Sequence, residues 1–213
     1  YYPKLLDESE FSDWNNGATI LDGTITLTKA LGYSPIFTTT GNISNYSVSW
    51  KYVDTDTASS SNTFYAFFYS QSTTDGNNLY TIKFYEGQTW VYAYTRTAGA
   101  DPVEINHDWT FGKISNGSEM GYSINGNDLI VWSDDNVTTF TLPGTFSSGY
   151  SGFYHGDGAS TGITDLRVWT EDTIVVSTNN LGNYGYWVDG TDDQTEINGA
   201  INNASYIVLL NGT

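Results

Sequence analysis

The chain has 213 residues, with 24 Asp+Glu against 7 Lys+Arg for a net charge of −17, and it contains no Cys. That charge argues against nucleic acid and anionic membrane surfaces as partners, since both are held by a positive patch. The missing Cys excludes disulfides and thiolate metal sites.

Apolar residues at 38% and aromatics at 16% are enough to bury a core. The acidic excess suits solubility and leaves room for a hard cation such as Ca²⁺. No apolar run of about 18 residues is long enough to span a membrane as a helix. A basic-then-apolar leader is also missing, and Tyr1 in place of Met is expected of a processed or excised chain.

Residues 1–9 read as a lead-in. Period-two alternation then begins, with Ile25 and Leu27 set between Thr24, Thr26 and Thr28. Tyr46, Val48, Trp50 and Tyr52 alternate with Ser47, Ser49 and Lys51. Residues 63–71 (TFYAFFYSQ) are apolar on both faces, which predicts a central strand. Strands at 79–85 and 89–96 follow, split by Glu86-Gly87-Gln88. Further strands are predicted at 109–115, 120–125, 129–133, 138–142, 149–155 and 163–170. The turns between them include Asp75-Gly76-Asn77-Asn78, Asn116-Gly117, Asn125-Gly126-Asn127, Asp134-Asp135-Asn136 and Gly156-Asp157-Gly158. Asn-Gly and Asp-Gly reach positive φ at low cost and suit tight hairpins. About a dozen short strands without helices between them predict a sandwich or a barrel, and their number favours two stacked sheets.

Beyond residue 170 the pattern changes. Residues 171–186 read as a linker and 187–213 as a short helix-strand appendage. Asp193 and Glu196 form a D-x-x-E capping box, and Asp189, Asp192 and Asp193 precede the helix, where negative charge suits its dipole. Ile197, Ala200, Ile201 and Ala204 then fall on one helix face. The apolar run YIVLL at 206–210 predicts a strand with an open edge, suited to joining another sheet.

The motifs from Phe11 to Trp169 resemble the concanavalin A-like jelly roll of the laminin-G and lectin-glucanase group. Phe11-Ser12-Asp13-Trp14 and the strand Asp22 to Leu27 match its F-x-x-W and D-G-x-L-x-L opening. The stretch from Trp109 to Ile114, then Tyr122 to Gly126, matches its Trp-led strand and N-G hairpin. Gly149 to Phe153 and Asp165 to Val168 match its closing G-x-x-G-F and D-x-x-V strands. The resemblance implies an all-β antiparallel sandwich over residues 10–170, a fold that hosts enzymes, lectins and spacers alike. The tail resembles the N-terminal start of pectate-lyase-like right-handed β-helix proteins, through Asp189-Gly190-Thr191-Asp192-Asp193 and the helix and strand after it. A solenoid needs about three stacked rungs. The expectation is therefore that a β-helix follows in a longer protein, or that 206–210 pairs with the jelly roll or with a neighbouring copy.

Glucanases of this fold carry an E-x-D-x-x-E cluster on one strand face. Here Glu104, Glu119 and Glu171 have no carboxylate two residues away, and Asp54 and Asp56 lack a Glu partner. His107 and His155 read as surface or edge residues, no G-x-S-x-G or H-E-x-x-H occurs, and the Gly-rich 156–162 is not followed by a helix. No enzyme activity is expected.

For binding, Trp90, Tyr92, Tyr94 and Arg96 share one strand face, and Tyr65, Phe67 and Tyr69 share another. Sugars pack their C–H faces on such rings; the competing reading is that the rings fill the space between the sheets. Asp75, Asp134, Asp135 and Asp157 are candidate Ca²⁺ ligands, set against their role as solvated turn residues. The N-x-S/T positions Asn42, Asn45, Asn116, Asn136 and Asn203 are glycosylation candidates.

The expected function is a non-catalytic extracellular or cell-surface module of a larger protein, recognising polysaccharide or glycoprotein glycans. Two other readings are a structural subunit of a surface layer or filament, self-associating through the C-terminal segment, and an auxiliary domain of a β-helix polysaccharide lyase.

Overall fold

A computed structural model describes residues 4–5, 11–12, 18–21, 24–27, 36–37, 44–54, 63–72, 77–155, 161–169, 173–177, 185–187, 194–195, 197–199 and 206–209. In chain order the strands are β1 (Lys4–Leu5), β2 (Phe11–Ser12), β3 (Ala18–Leu21), β4 (Thr24–Leu27), β5 (Ile36–Phe37), β6 (Tyr46–Asp54), β7 (Thr63–Ser70), β8 (Leu79–Tyr85) and β9 (Val91–Arg96). There follow β10 (Val103–Asp108), β11 (Glu119–Asn125), β12 (Asp128–Ser133), β13 (Asn136–Thr141), β14 (Tyr150–His155), β15 (Thr161–Trp169), β16 (Thr173–Ser177), β17 (Gly185–Trp187) and β18 (Tyr206–Leu209).

Two antiparallel sheets form the expected sandwich. Sheet A runs β13-β12-β11-β6-β15-β4-β3, with β1 also paired to β15. Sheet B runs β10-β9-β8-β7-β14-β5-β2. Because side chains alternate along a strand, Tyr46, Val48, Trp50 and Tyr52 of β6 all point inward. They join Met120, Tyr122 and Ile124 of β11 and meet Phe64, Ala66 and Phe68 of β7 and Ile82 and Phe84 of β8 in one core. Trp50 is its hub, edge-on to Phe153 at 4.9 Å, Phe64 at 5.8 Å, Phe84 at 6.2 Å and Tyr122 at 6.2 Å. Edge-to-face pairs add roughly 0.5–1.5 kcal/mol each beyond simple burial.

Two hairpins form where the turn residues predict, while Asp75-Gly76 and Gly156-Asp157-Gly158 lie outside the described residues. Asn125 pairs with Asp128 around Gly126 (φ +60°), and Ser133 pairs with Asn136 around Asp134-Asp135, with Asp134 at φ +49°. Asp134 Oδ1 also accepts the Glu119 N–H at 2.9 Å, tying this turn to the start of β11.

Three expectations are corrected. The strand expected at 109–115 is absent, and the chain pairs instead as β10, over residues 103–108. Among the described residues this is an edge strand bonded to β9 alone, so it tolerates Glu104, Asn106 and Asp108 and shows little apolar alternation. Gly112 at φ +103°, pressed against the Asn136 side chain, breaks the stretch after it; only Ile114 bridges, to Glu86. The stretch 171–186 is not a bare linker, because β16 lies within it and β17 begins there. The shared outward face expected for Tyr65, Phe67 and Tyr69 breaks at Tyr69. That residue has φ +53°, turns inward beside Tyr46, Phe68 and Tyr80, and gives its hydroxyl to the Ser44 carbonyl.

At the C-terminal end, β18 and β17 flank β16 in a small parallel sheet. Residues 194–195 and 197–199 are helical, and Gln194 Nε2 donates to Asn198 Oδ1 at 2.9 Å. The expected cap residues Asp189, Asp192, Asp193 and Glu196 lie outside the described residues.

Candidate functional site

The outward face of sheet B carries a row of side chains that crosses five strands. Registered partners run Tyr154 (β14) to Tyr65 (β7), Tyr65 to Lys83 (β8), Lys83 to Tyr92 (β9) and Tyr92 to His107 (β10). Four inter-strand spacings make this row about 19 Å long. One local cause puts the rings outside. Period two along β7, β8 and β9 commits Phe64, Ala66, Ile82, Phe84, Val91 and Ala93 to the core. Tyr65, Lys83, Tyr85, Tyr92 and Tyr94 are thereby left on the opposite face, half-buried among one another.

At one end of the row Tyr65 and Tyr154 stack at 4.2 Å and 11°. Beneath them Phe67 and Leu79 form a second, smaller buried cluster against which Tyr150 and Tyr154 pack. At the other end Tyr85, Trp90, Tyr92, His107 and Trp109 form one ring cluster. Trp90 and Trp109 meet at 5.0 Å and 81°, Tyr85 and Trp90 at 5.7 Å, and His107 and Trp109 at 4.6 Å. Tyr92 touches Tyr85, Tyr94, His107 and Trp109.

Trp109 is 49% exposed, unusual for so large an apolar side chain. Its backbone is pinned by Thr89, whose hydroxyl donates to the Trp109 carbonyl at 2.7 Å. Asp108 Oδ1 accepts from both the N–H and the hydroxyl of Thr110, turning the chain just after it. Glu104 Oε1 lies 2.6 Å from His107 Nδ1. In the tautomer whose Nδ1–H donates to Glu104, Nε2 is left as an acceptor.

Lys83 occupies the middle of the row. Its Nζ lies 4.5 Å from the Tyr85 ring centroid and 5.4 Å from that of Tyr65, within range of cation–π attraction. Partial burial by itself would lower the ammonium pKa, but hydrogen bonds with Tyr85 and Tyr65 outweigh it and leave it raised. The Tyr94 phenol is pushed up to about 12, mainly by burial, and the Tyr92 phenol is raised first by burial and then by Tyr85 and Glu104. Both remain neutral hydroxyl donors at any physiological pH.

Of the residues chosen from sequence, Trp90, Tyr92, Tyr94 and Tyr65 come together on this face. Arg96 is turned away: its Nε donates to the Ala100 carbonyl at 3.0 Å and it bonds the Gly99 carbonyl, bracing the hairpin tip. Tyr69 belongs to the core, fully buried. Sequence reasoning missed Lys83, Tyr85, His107, Trp109 and Tyr154 as members. The period-two set Thr81-Lys83-Tyr85 was the available signal; the cross-strand register that brings the others in leaves no mark on any one segment.

Asp134 and Asp135 share one turn, Asp75 and Asp157 lie outside the described residues, and no group of three or more His, Asp or Glu that could hold a metal occurs among the described residues. Among the sequons, Asn45 Oδ1 accepts from Gly126 N–H, Asn116 Oδ1 accepts from Asp54 N–H, and Asn136 Nδ2 donates to the Ser133 carbonyl. Asn42 and Asn203 are outside the described residues.

A cavity of about 70 Å³ on sheet A, lined by Ser49, Trp50, Lys51, Glu119, Asp165 and Arg167, is of different character. There Lys51 Nζ is already neutralised by Asp165 Oδ2 at 3.0 Å.

No protein-family model and no curated protein sequence matches the chain. Solved structures do match. A carbohydrate-binding module, CBM66, from Bacillus subtilis superposes with a TM-score of 0.59 at 12% identity, over 75% of this chain and 94% of that one. The VIP36 exoplasmic/lumenal domain, in a form bound to Ca²⁺ and Man3GlcNAc, gives 0.57 at 8% identity over 80% and 90%. A legume lectin-like domain from Entamoeba histolytica gives 0.55 at 9% identity over 76% and 90%. At such identities the likeness is one of fold, and it agrees with a concanavalin A-like sandwich. None of these three supports the β-helix resemblance of the tail.

Proposed function

We propose that the chain is a non-catalytic glycan-recognition module, part of an extracellular or cell-surface protein, and that the ring row of sheet B is its binding face. The observation that carries this reading is the continuous outward strip from Tyr154 to His107, flanked by half-exposed Trp109. Sugar rings offer apolar C–H faces and a polar rim. The strip offers ring faces and edges with phenol, imidazole and ammonium groups among them. Its length suits an extended oligosaccharide crossing the strands rather than a single sugar. The sandwiches it resembles include a carbohydrate-binding module, a domain in a Man3GlcNAc-bound form and a legume lectin-like domain.

Glycosidase chemistry needs two carboxylates about 5–10 Å apart across the scissile bond. Among the described residues the strip provides Glu104 alone, and that carboxylate is bonded to His107.

The test is a glycan array followed by calorimetry on the best binders. Trp109→Ala and Tyr92→Ala are each expected to weaken binding at least about tenfold, or ~1.4 kcal/mol, while the thermal midpoint holds. Unchanged affinity in both variants, or no binding to any glycan, would refute the assignment.

A further inference from the structure

Taking that binding face as given, we infer that Lys83 makes it selective for a chain that is mostly neutral but carries one anionic group, a carboxylate or a sulfate ester. Lys83 is the central member of the five-strand row, with rings on both flanking strands. The ammonium is held between Tyr65 and Tyr85 at 5.4 and 4.5 Å, so its position is fixed before any ligand arrives. Among the described residues no ion pair includes it: Asp165 is paired with Lys51 on sheet A, and Glu104 is hydrogen-bonded to His107. A partly desolvated, pre-positioned ammonium forms charge-assisted hydrogen bonds about twice as strong as neutral ones. The phenol hydroxyls beside it supply further donors to the same anion.

Two features limit the charge of the ligand to about one. Arg96, the cation of the neighbouring strand β9, is committed to the Ala100 and Gly99 carbonyls and does not extend the positive surface. The whole molecule carries −17, which repels a polyanion at long range, whereas a single anion on Lys83 gains at short range.

The opposite reading, an aromatic cage for a cationic ligand, fails on geometry. Trp90 and Trp109 are in direct edge contact at 5.0 Å, with no gap between them, and the slot between Tyr65 and Tyr85 already holds the lysine.

The experiment uses a panel of oligosaccharides, xylan-, glucan- and galactan-based. Each is prepared in four forms: neutral, with one uronate, with that uronate reduced to the alcohol, and with one sulfate. Affinities are measured by calorimetry for the full chain and for Lys83→Met, Lys83→Arg and Trp109→Ala. The full chain is expected to bind a singly charged form at least about tenfold more tightly than its neutral or reduced counterpart. Lys83→Met should lose this preference, binding charged and neutral forms alike, and Lys83→Arg should restore it. The better of the uronate and sulfate forms identifies the source of the anion. Equal affinity for charged and reduced forms, or a preference that survives Lys83→Met, overturns the inference. In either case loss of neutral-form binding in Trp109→Ala leaves the binding-face reading intact. Absence of binding to every member of the panel overturns both.

Discussion

Trp109 and Gly121 show how differently single positions were encoded. Trp109 was visible as an aromatic in the sequence but was assigned to a strand that does not form; its place beside Trp90 follows from β10 pairing with β9 and from the Thr89 hydroxyl on its carbonyl. Gly121 gave no signal at all. A Cβ there would lie 2.2 Å from Trp132 Cζ2 and 2.5 Å from the Val48 carbonyl oxygen, so the indole of the neighbouring strand lies directly on the glycine backbone. The Val48 oxygen is part of the sheet and cannot yield. Gly121→Ala is therefore expected to cost about 1–3 kcal/mol, the usual range for overpacking. Chemical denaturation reads this as a lowered midpoint at unchanged slope, and an unshifted midpoint would contradict the packing seen around Trp132.

At the level of elements, the β12–β13 turn does more than reverse the chain. Asp134 takes φ +49°, which Asp tolerates better than most residues, and its carboxylate caps the Glu119 N–H while its own N–H meets the Glu119 carbonyl at 2.7 Å. Asp134→Ala removes one charge-assisted bond and places a worse residue in the left-handed region. A loss of roughly 1–3 kcal/mol is expected, measurable as faster amide exchange at Glu119 and along β12 and β13. If exchange there is unaltered, the carboxylate is a solvated bystander. In the sequence this turn offers a candidate cation ligand beside the reading as solvated turn residues, because local sequence shows an acidic loop but not which backbone donor it serves. Elements with strong alternation, such as β6, β8 and β11, were legible almost to the residue. The polar edge strand β10 and the parallel strands β16 and β17 were not, since their pairing depends on neighbours distant in the chain or on a context outside the antiparallel pattern.

Across the whole molecule, the core carries an unusual load of buried tyrosine. Tyr46 and Tyr122 are raised by burial above the ordinary phenol value, Tyr46 further by Tyr122 and Tyr122 by Tyr69, although the Ser151 hydroxyl draws both down. Tyr69 is raised by burial and by Tyr80, and Tyr52 by burial and then by Glu86. Unfolded tyrosines ionise near pH 10, whereas these stay protonated well above it, so the unfolded state releases its protons first. Stability is accordingly complete below about pH 10 and falls as pH rises past it, by about 1.4 kcal/mol per pH unit for each such group. The expected result is cooperative alkaline unfolding, with the core tyrosinate absorbance rising together with loss of the β-sheet signal. Ionisation of all tyrosines near pH 10 with the sheets intact would show that these hydroxyls reach solvent.

Alternation is a local property, written into each strand by which side chains water excludes. The sequence alone therefore determined an antiparallel sandwich, the alternating face of β6, the spans of β8 and β11, and the hairpins at Asn125 to Asp128 and Ser133 to Asn136. Three decisions needed the tertiary structure. One was which ring-bearing face is turned outward. Another was the fate of Tyr69, sent into the core by a single positive φ. The last was the row in which Lys83 stands between Tyr65 and Tyr92. Cross-strand neighbours are fixed by register between segments far apart in the chain, and a shift of one residue would turn every one of these side chains to the other face.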